Sequence, residues 1–223
     1  MAKNCSSCEA DANVMNSLFK NNGFKTYKFI DPNSGDVLNY IRAIAQNLNP
    51  NDYFVFYYSG HGSQTSDRNG DESDGLDETM LLNDREIIDD ELAASFSYFN
   101  SGVKVLFLSD SCNSGTVYKD NDNNNNNPFN LSTIMDIDDI KSSIRAEFVA
   151  ITSSRDDQSS LMGNPYSHFT NIIVNIWNNG RFSGSIRQFF QMINNQSTAQ
   201  QPQYYSTGNN VNLFENERPF TIR

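Results

Sequence analysis

Tyr53-Phe54-Val55-Phe56-Tyr57-Tyr58-Ser59-Gly60-His61-Gly62 and Val103-Lys104-Val105-Leu106-Phe107-Leu108-Ser109-Asp110-Ser111-Cys112-Asn113-Ser114-Gly115 share one pattern. In each, a short apolar run leads without a turn signal into small residues that carry one reactive side chain. The run from Tyr53 to Tyr58 reads as a strand buried on both faces, the kind found inside a parallel sheet. In open α/β sheets, chemistry gathers just beyond the carboxyl ends of the strands. Small neighbours let the backbone turn and let a substrate come close. A thiol next to an imidazole is the minimum machinery for acyl transfer, since the imidazole moves the proton while the thiolate attacks a carbonyl. Neighbouring parallel strands bring His61 and Cys112 together although they stand 51 positions apart. Taken singly, the cysteine reads as a small buried apolar residue and the histidine as a turn residue. Their joint occurrence at two strand ends points to catalysis.

Outward from these strands, the chain alternates helix and strand. Asp11 to Lys20 reads as a helix stopped by Asn21-Asn22-Gly23. Phe24 to Ile30 alternates and is rich in aromatics, so it reads as a strand. Val37, Leu38, Ile41, Ile44, Ala45 and Leu48 mark one face of a second helix. Asp89 to Phe99 reads as a helix with an acidic first turn. Phe148 to Thr152 reads as a short apolar strand, and Phe169 to Trp177 and Ile186 to Ile193 as amphipathic helices. The tail from Gln201 is turn-rich, with a short strand at Phe220 to Ile222. This alternation implies an α/β fold with a largely parallel central sheet flanked by helices.

A chain of 223 residues suits one domain and can bury a core without disulfides or metal. The net charge of −11 argues against a nucleic-acid binder or a polybasic membrane-surface protein. No stretch approaches a membrane span, and the first twenty residues show no secretory signal. Three cysteines make no disulfide framework, so the expected compartment is the reducing cytoplasm. Asp67 to Glu91 holds eleven acidic and two basic residues, so this window carries −9 and the rest of the chain −2. The acidity belongs to one loop, read from Ser63 to Asp84.

Tyr57-Tyr58-Ser59-Gly60-His61-Gly62-Ser63-Gln64 resembles the histidine motif of metacaspases, and Asp110-Ser111-Cys112-Asn113-Ser114-Gly115 resembles their cysteine motif. Gly70 to Glu78, Ile87 to Leu92, Asp156-Asp157-Gln158 and Gln201-Pro202-Gln203 resemble further motifs of that family. The resemblance implies a caspase-like fold. It comprises a large-subunit-like region (1–118), an Asn-rich linker (119–141) and a small-subunit-like region (142–223). It implies a cysteine endopeptidase with Cys112 as nucleophile and His61 as general acid/base. The backbone N–H groups of Gly62 and Cys112 would form the oxyanion hole. It implies protein or peptide substrates cut after Arg or Lys, the basic side chain held by Asp11, Ser59 and Asp110, and a monomer. Autoprocessing would fall at Lys119 and Lys141 in the linker.

The resemblance also implies calcium as an activator, with Asp77, Asp89 and Asp90 as ligands. The fourth ligand position falls on Lys119, leaving Asp120 one residue further on. Calcium takes six to eight hard oxygens, which clustered carboxylates supply. An EF-hand would use Asp67, Asn69, Asp71 and Glu78, but Glu72 stands where that loop needs glycine. A solvated charged loop is the plain alternative.

Two departures from the family pattern stand out. Asn113 replaces the usual histidine after the nucleophile, and Met1 to Ser7 offers no counterpart to the family's apolar first strand. The second suggests an alternative function, a catalytically weak or inactive relative that serves as a calcium- or partner-binding module. Cys5-Ser6-Ser7-Cys8 has the spacing of half a zinc site or a redox pair, with an ordinary structural cysteine as the simpler reading.

Overall fold

A computed structural model describes residues 5–66, 76–113, 144–153, 165–198 and 200–222, with Leu76, Cys112 and Asn113 described by backbone alone. The helices are α1 (Cys8–Asn21), α2 (Ser34–Ala45), α3 (Asp89–Phe96), α4 (His168–Trp177), α5 (Ile186–Gln196) and α6 (Val211–Glu215). The strands are β1 (Tyr53–Ser66), β2 (Leu76–Leu81), β3 (Glu86–Ile88), β4 (Lys104–Asn113), β5 (Glu147–Thr152) and β6 (Gln203–Thr207). They form one sheet in the order β3-β2-β1-β4-β5-β6. Its centre, β1-β4-β5, is parallel, and antiparallel pairs close both sides.

The helices follow local chemistry. Helix α1 buries Met15, Leu18 and Phe19, carries acid in its first turn and Lys20 in its last, as the helix dipole favours. It stops where Gly23 takes a positive φ and the Gly23 and Phe24 N–H groups bond back to the Lys20 and Phe19 carbonyls. Helix α5 opens on a reciprocal Ser185–Gln188 cap.

Strand periodicity then sorts the core into two layers. Phe54, Phe56, Val105, Phe107, Phe148 and Ala150 face one layer with α2 and α3. Tyr53, Val55, Tyr57, Leu106, Leu108, Val149 and Ile151 face the other with α1, α4 and α5. Strand β5 is buried throughout, as its apolar sequence requires.

Several sequence expectations are corrected. Phe24 to Ile30 forms no strand; it has no ladder partner, and Tyr27, Phe29 and Ile30 are 46–49% exposed. The run from Tyr53 to Tyr58 is only half-buried, because β2 covers β1 from Gly62 onward and leaves the earlier edge without a neighbouring strand among the described residues. The acidic segment is not wholly a loop, since Ser63 to Ser66 and Leu76 to Leu81 pair as an antiparallel hairpin. The tail contributes β6 rather than a strand at Phe220 to Ile222. Phe220 is instead a buried plug among the rings of Phe19, Trp177 and Phe189. Cys5 and Cys8, expected reduced, form a disulfide; the start of α1 brings their Cα atoms to 5.5 Å, within disulfide range. Among the described residues, no helix is long and apolar enough to cross a membrane.

Candidate active site

The sequence places His61 and Cys112 just past two strands, but the ladder continues through both. Tyr53 pairs with Lys104, Ser59 with Asp110, His61 with Cys112 and Gly62 with Asn113, all in one unbroken parallel register. Adjacent strands lie about 4.8 Å apart, so the two positions are neighbours on one face of the sheet. The period of two puts Ser59 and Asp110 on that same face, one step before them. It is the face covered by α1 and α4. His61 itself is half-buried, and its carbonyl accepts a 2.8 Å hydrogen bond from the Tyr58 hydroxyl.

Asp11, Ser59 and Asp110 come together as the sequence expects. Asp11 on α1 is fully buried. Its carboxylate accepts from the Ser59 hydroxyl at 2.9 Å and from the Ser167 N–H at 2.9 Å. Asp110 accepts from the Ser167 hydroxyl, from the Thr170 hydroxyl at 2.6 Å and from the Thr170 N–H at 3.2 Å. The Thr170 hydroxyl spends its only hydrogen on Asp110, so in its 2.6 Å contact with Tyr57 the tyrosine must be the donor. Ser167 therefore ties the two carboxylates together, with its N–H on one and its hydroxyl on the other. Burial raises the Asp11 pKa above the ordinary carboxylate range, and the charge of Asp110 adds to the rise, against the lowering effect of the Ser167 N–H. Burial, then Asp110 and Asp11, pushes the Tyr57 hydroxyl well up, so it stays a donor.

Two buried acids thus lie on or against the sheet face that carries the His61 and Cys112 positions. A cationic group would relieve their mutual repulsion. Ser167, Thr170 and Tyr57 were not singled out from sequence. For Ser167 a signal existed: a serine directly before the apolar periodicity of α4 is a helix cap.

The second acidic group lies on the β2–β3 side. Asp77 and Glu78 on β2 and Asp89 at the start of α3 are all buried, and Asp90 follows half-buried. Glu78, absent from the expected ligand set, accepts from the Gln64 amide at 3.0 Å. Burial, followed by the charges of Glu78, Asp90 and Asp77, pushes Asp89 up to about 8. One Asp89 oxygen is buried with no hydrogen-bond partner among the described residues. Hard oxygens repelling one another out of water are a donor set that fits calcium. Among the described residues, however, no three acidic, imidazole or thiol side chains converge on one point, so these residues by themselves assemble no metal site. Asp120, Lys119 and Lys141 lie outside the described residues, as do Asp67, Asn69, Asp71 and Asp156 to Gln158.

A caspase-like sheet carrying a histidine and a cysteine on adjacent parallel strands defines a class, and comparison with known proteins agrees. The Caspase domain family (Peptidase_C14) matches residues 1–214, and the chain belongs to it; this supports a cysteine peptidase in general. Metacaspase-1 of Kluyveromyces lactis is 40% identical over 91 residues, which is 39% of this chain and 21% of the relative. Metacaspase-2 of Arabidopsis thaliana is 47% identical over 73 residues, 30% of this chain and 18% of the relative. The chain thus matches about a fifth of the length of these curated relatives. Among solved structures, protein GSU0716 of Geobacter sulfurreducens superposes with a TM-score of 0.80 at 32% identity, covering 98% of this chain and 90% of that one. Caspase-1 of Spodoptera frugiperda superposes at 0.59 with 11% identity, covering 97% and 84%, which shows the fold.

Proposed function

We propose that this chain is a cysteine endopeptidase that cleaves after Arg or Lys. The observation that supports it most is the shared register of Ser59–Asp110 and His61–Cys112, with buried Asp11 tied to Asp110 through Ser167. The basic side chain of the substrate enters between Asp11 and Asp110 and sets the next carbonyl beside Cys112. The Cys112 thiolate attacks that carbonyl carbon, and the N–H groups of Gly62 and Cys112 receive the developing oxyanion. His61 protonates the leaving amine as the C–N bond breaks. Water, deprotonated by His61, then hydrolyses the thioester and restores the thiol.

Calcium is the proposed activator, held by Asp77, Asp89 and Asp90 with Asp120. A bound cation would neutralise the buried carboxylates and stiffen the hairpin that continues from His61. Lys119 and Lys141 are the proposed self-cleavage points. The test is hydrolysis of fluorogenic peptides ending in Arg, Lys or Asp, with calcium or with chelator, alongside Cys112→Ala. Cleavage of the Arg and Lys peptides alone, raised by calcium and lost in Cys112→Ala, is the expected result. Cleavage after Asp, or activity surviving in Cys112→Ala, would overturn it.

A second reading, a weakly active or inactive relative that acts by binding, draws on the edge of β1 from Tyr53 to Tyr57, which has no neighbouring strand among the described residues. Calcium binding by calorimetry without any Cys112-dependent hydrolysis is the outcome that favours it.

A further inference from the structure

Cys5-Ser6-Ser7-Cys8 ends three positions before Asp11 and closes on itself in space. The Cys5–Cys8 disulfide makes a ring of these four residues, and the ring ends on the first residue of α1. Inside it Ser7 is buried, at 1% exposure. Ser7 occupies the cap position of α1 but makes no side-chain cap bond, so the usual serine lock of a helix start is missing. The link from the ring to the candidate site is backbone: the Asp11 N–H donates to the Ser7 carbonyl at 2.8 Å. The buried apolar anchors of the helix, Met15, Leu18 and Phe19, all come after Asp11. Among the described residues before Asp11, only Ser7 is buried. The disulfide therefore braces the turn from which Asp11 reaches the Ser59 hydroxyl at 2.9 Å and the Ser167 N–H at 2.9 Å. Cys5 and Cys8 are themselves half-buried, so a small thiol can reach them.

We propose that Cys5 and Cys8 are a reversible thiol–disulfide site whose oxidation state sets the placement of Asp11 and, through it, the affinity for a basic side chain. The effect on affinity rests on the proposed role of Asp11 in holding Arg or Lys; the redox response itself does not. The site takes a small dithiol or, in reverse, a small disulfide. A dithiol gives up two electrons and two protons, so the Cys5–Cys8 bond opens to two thiols while the reductant closes to its own disulfide. Oxidation runs the other way, with the small disulfide accepting both electrons and both protons. The start of α1 already holds the two Cα atoms 5.5 Å apart, so the bridge can close without backbone rearrangement. Once it is open, no covalent tie joins Cys5 to the helix, and a first turn without a side-chain cap frays most easily. The Ser7 carbonyl then releases the Asp11 N–H, and a carboxylate displaced by about an ångström loses its alignment with a bound cation. Cys112 has the opposite need, since it attacks only as a reduced thiolate.

The experiment uses Cys112→Ala, which leaves Cys5 and Cys8 as the only thiols able to respond. The protein is oxidised with glutathione disulfide or reduced with dithiothreitol, both with calcium present. Binding of a fluorescent peptide ending in Arg is followed by anisotropy. Reduction should weaken binding by about tenfold, and reoxidation should restore it. Amide exchange at Ala10 to Asn13 should quicken by about tenfold or more on reduction, while that of Met15 to Phe19 stays unchanged. Cys5→Ser in the same background should match the reduced protein in both buffers, with circular dichroism unchanged. Unchanged exchange at Ala10 to Asn13 would overturn the proposal, as would equal affinity for a bound peptide in the two states or a redox response that survives Cys5→Ser. Exchange that responds while the Arg peptide binds in neither state would leave the thiol–disulfide site standing and refute the basic-side-chain reading instead.

Discussion

Asp11 is a buried carboxyl and carries an electrostatic cost. Its carboxyl is raised chiefly by burial and also by Asp110. In the unfolded chain it ionises at the ordinary value, near 4. Between the two values the folded protein holds a proton that the unfolded chain has released, so stability falls as pH rises through that window. Above it the penalty is constant, and below the unfolded value it is absent. Asp11→Asn can keep the geometry, accepting from the Ser167 N–H and donating to Ser59. It should therefore raise Tm at pH 7 by about 2 °C or more, a gain that vanishes when melting is repeated near pH 3. The same substitution should lower kcat/KM for an Arg peptide by about 100-fold. The grouping of Asp11, Ser59 and Asp110 was expected from the family resemblance, whose motif positions they match, and the structure joins them by hydrogen bonds. Their linkage through Ser167 was not legible in the sequence, because that residue is 57 positions from Asp110 and reads only as a cap.

Helix α4 owes its start to the same serine, which accepts from the Thr170 N–H while donating to Asp110. Ser167→Ala should cost about 1–2 kcal/mol in urea unfolding and should raise KM for Arg peptides more than it lowers kcat. Ser185→Ala, which removes the equivalent cap of α5, should cost a similar amount and leave KM unchanged. Equal KM effects from the two would mean that Ser167 acts through helix stability alone. Element identity was readable wherever burial enforced the period, as in β5 or α2. It failed at Phe24 to Ile30, where strand propensity is strong but no neighbour among the described residues supplies a ladder, so the backbone stays irregular. It failed again at β6, where Gln203, Tyr204 and Tyr205 sit in a turn-rich stretch and are strand only because β5 pairs them.

The sheet divides the interior into two apolar layers but belongs to both, so the halves should not melt separately. Phe148 is fully buried in the layer with α2 and α3, while Trp177, the single tryptophan, lies in the other. Phe148→Ala should destabilise by about 3–5 kcal/mol. Its urea midpoint by Trp177 fluorescence should move together with that by circular dichroism. Distinct midpoints would show two independent units. At this scale the α/β class and the parallel centre were legible from the alternation of elements and two apolar runs. The half-exposure of β1 was not, because the sequence of a strand says how apolar it is and nothing about whether both its edges are taken.

The most direct test of the central claim is stoichiometric labelling. The protein is treated with an arginyl acyloxymethyl ketone or its aspartyl counterpart, digested and mapped by mass spectrometry. A single adduct on Cys112 from the arginyl reagent, absent with the aspartyl reagent and sharply reduced in Asp11→Asn and in His61→Ala, is the predicted result. Labelling of Cys112 by both reagents alike, or an adduct that persists unchanged in both variants, would contradict it.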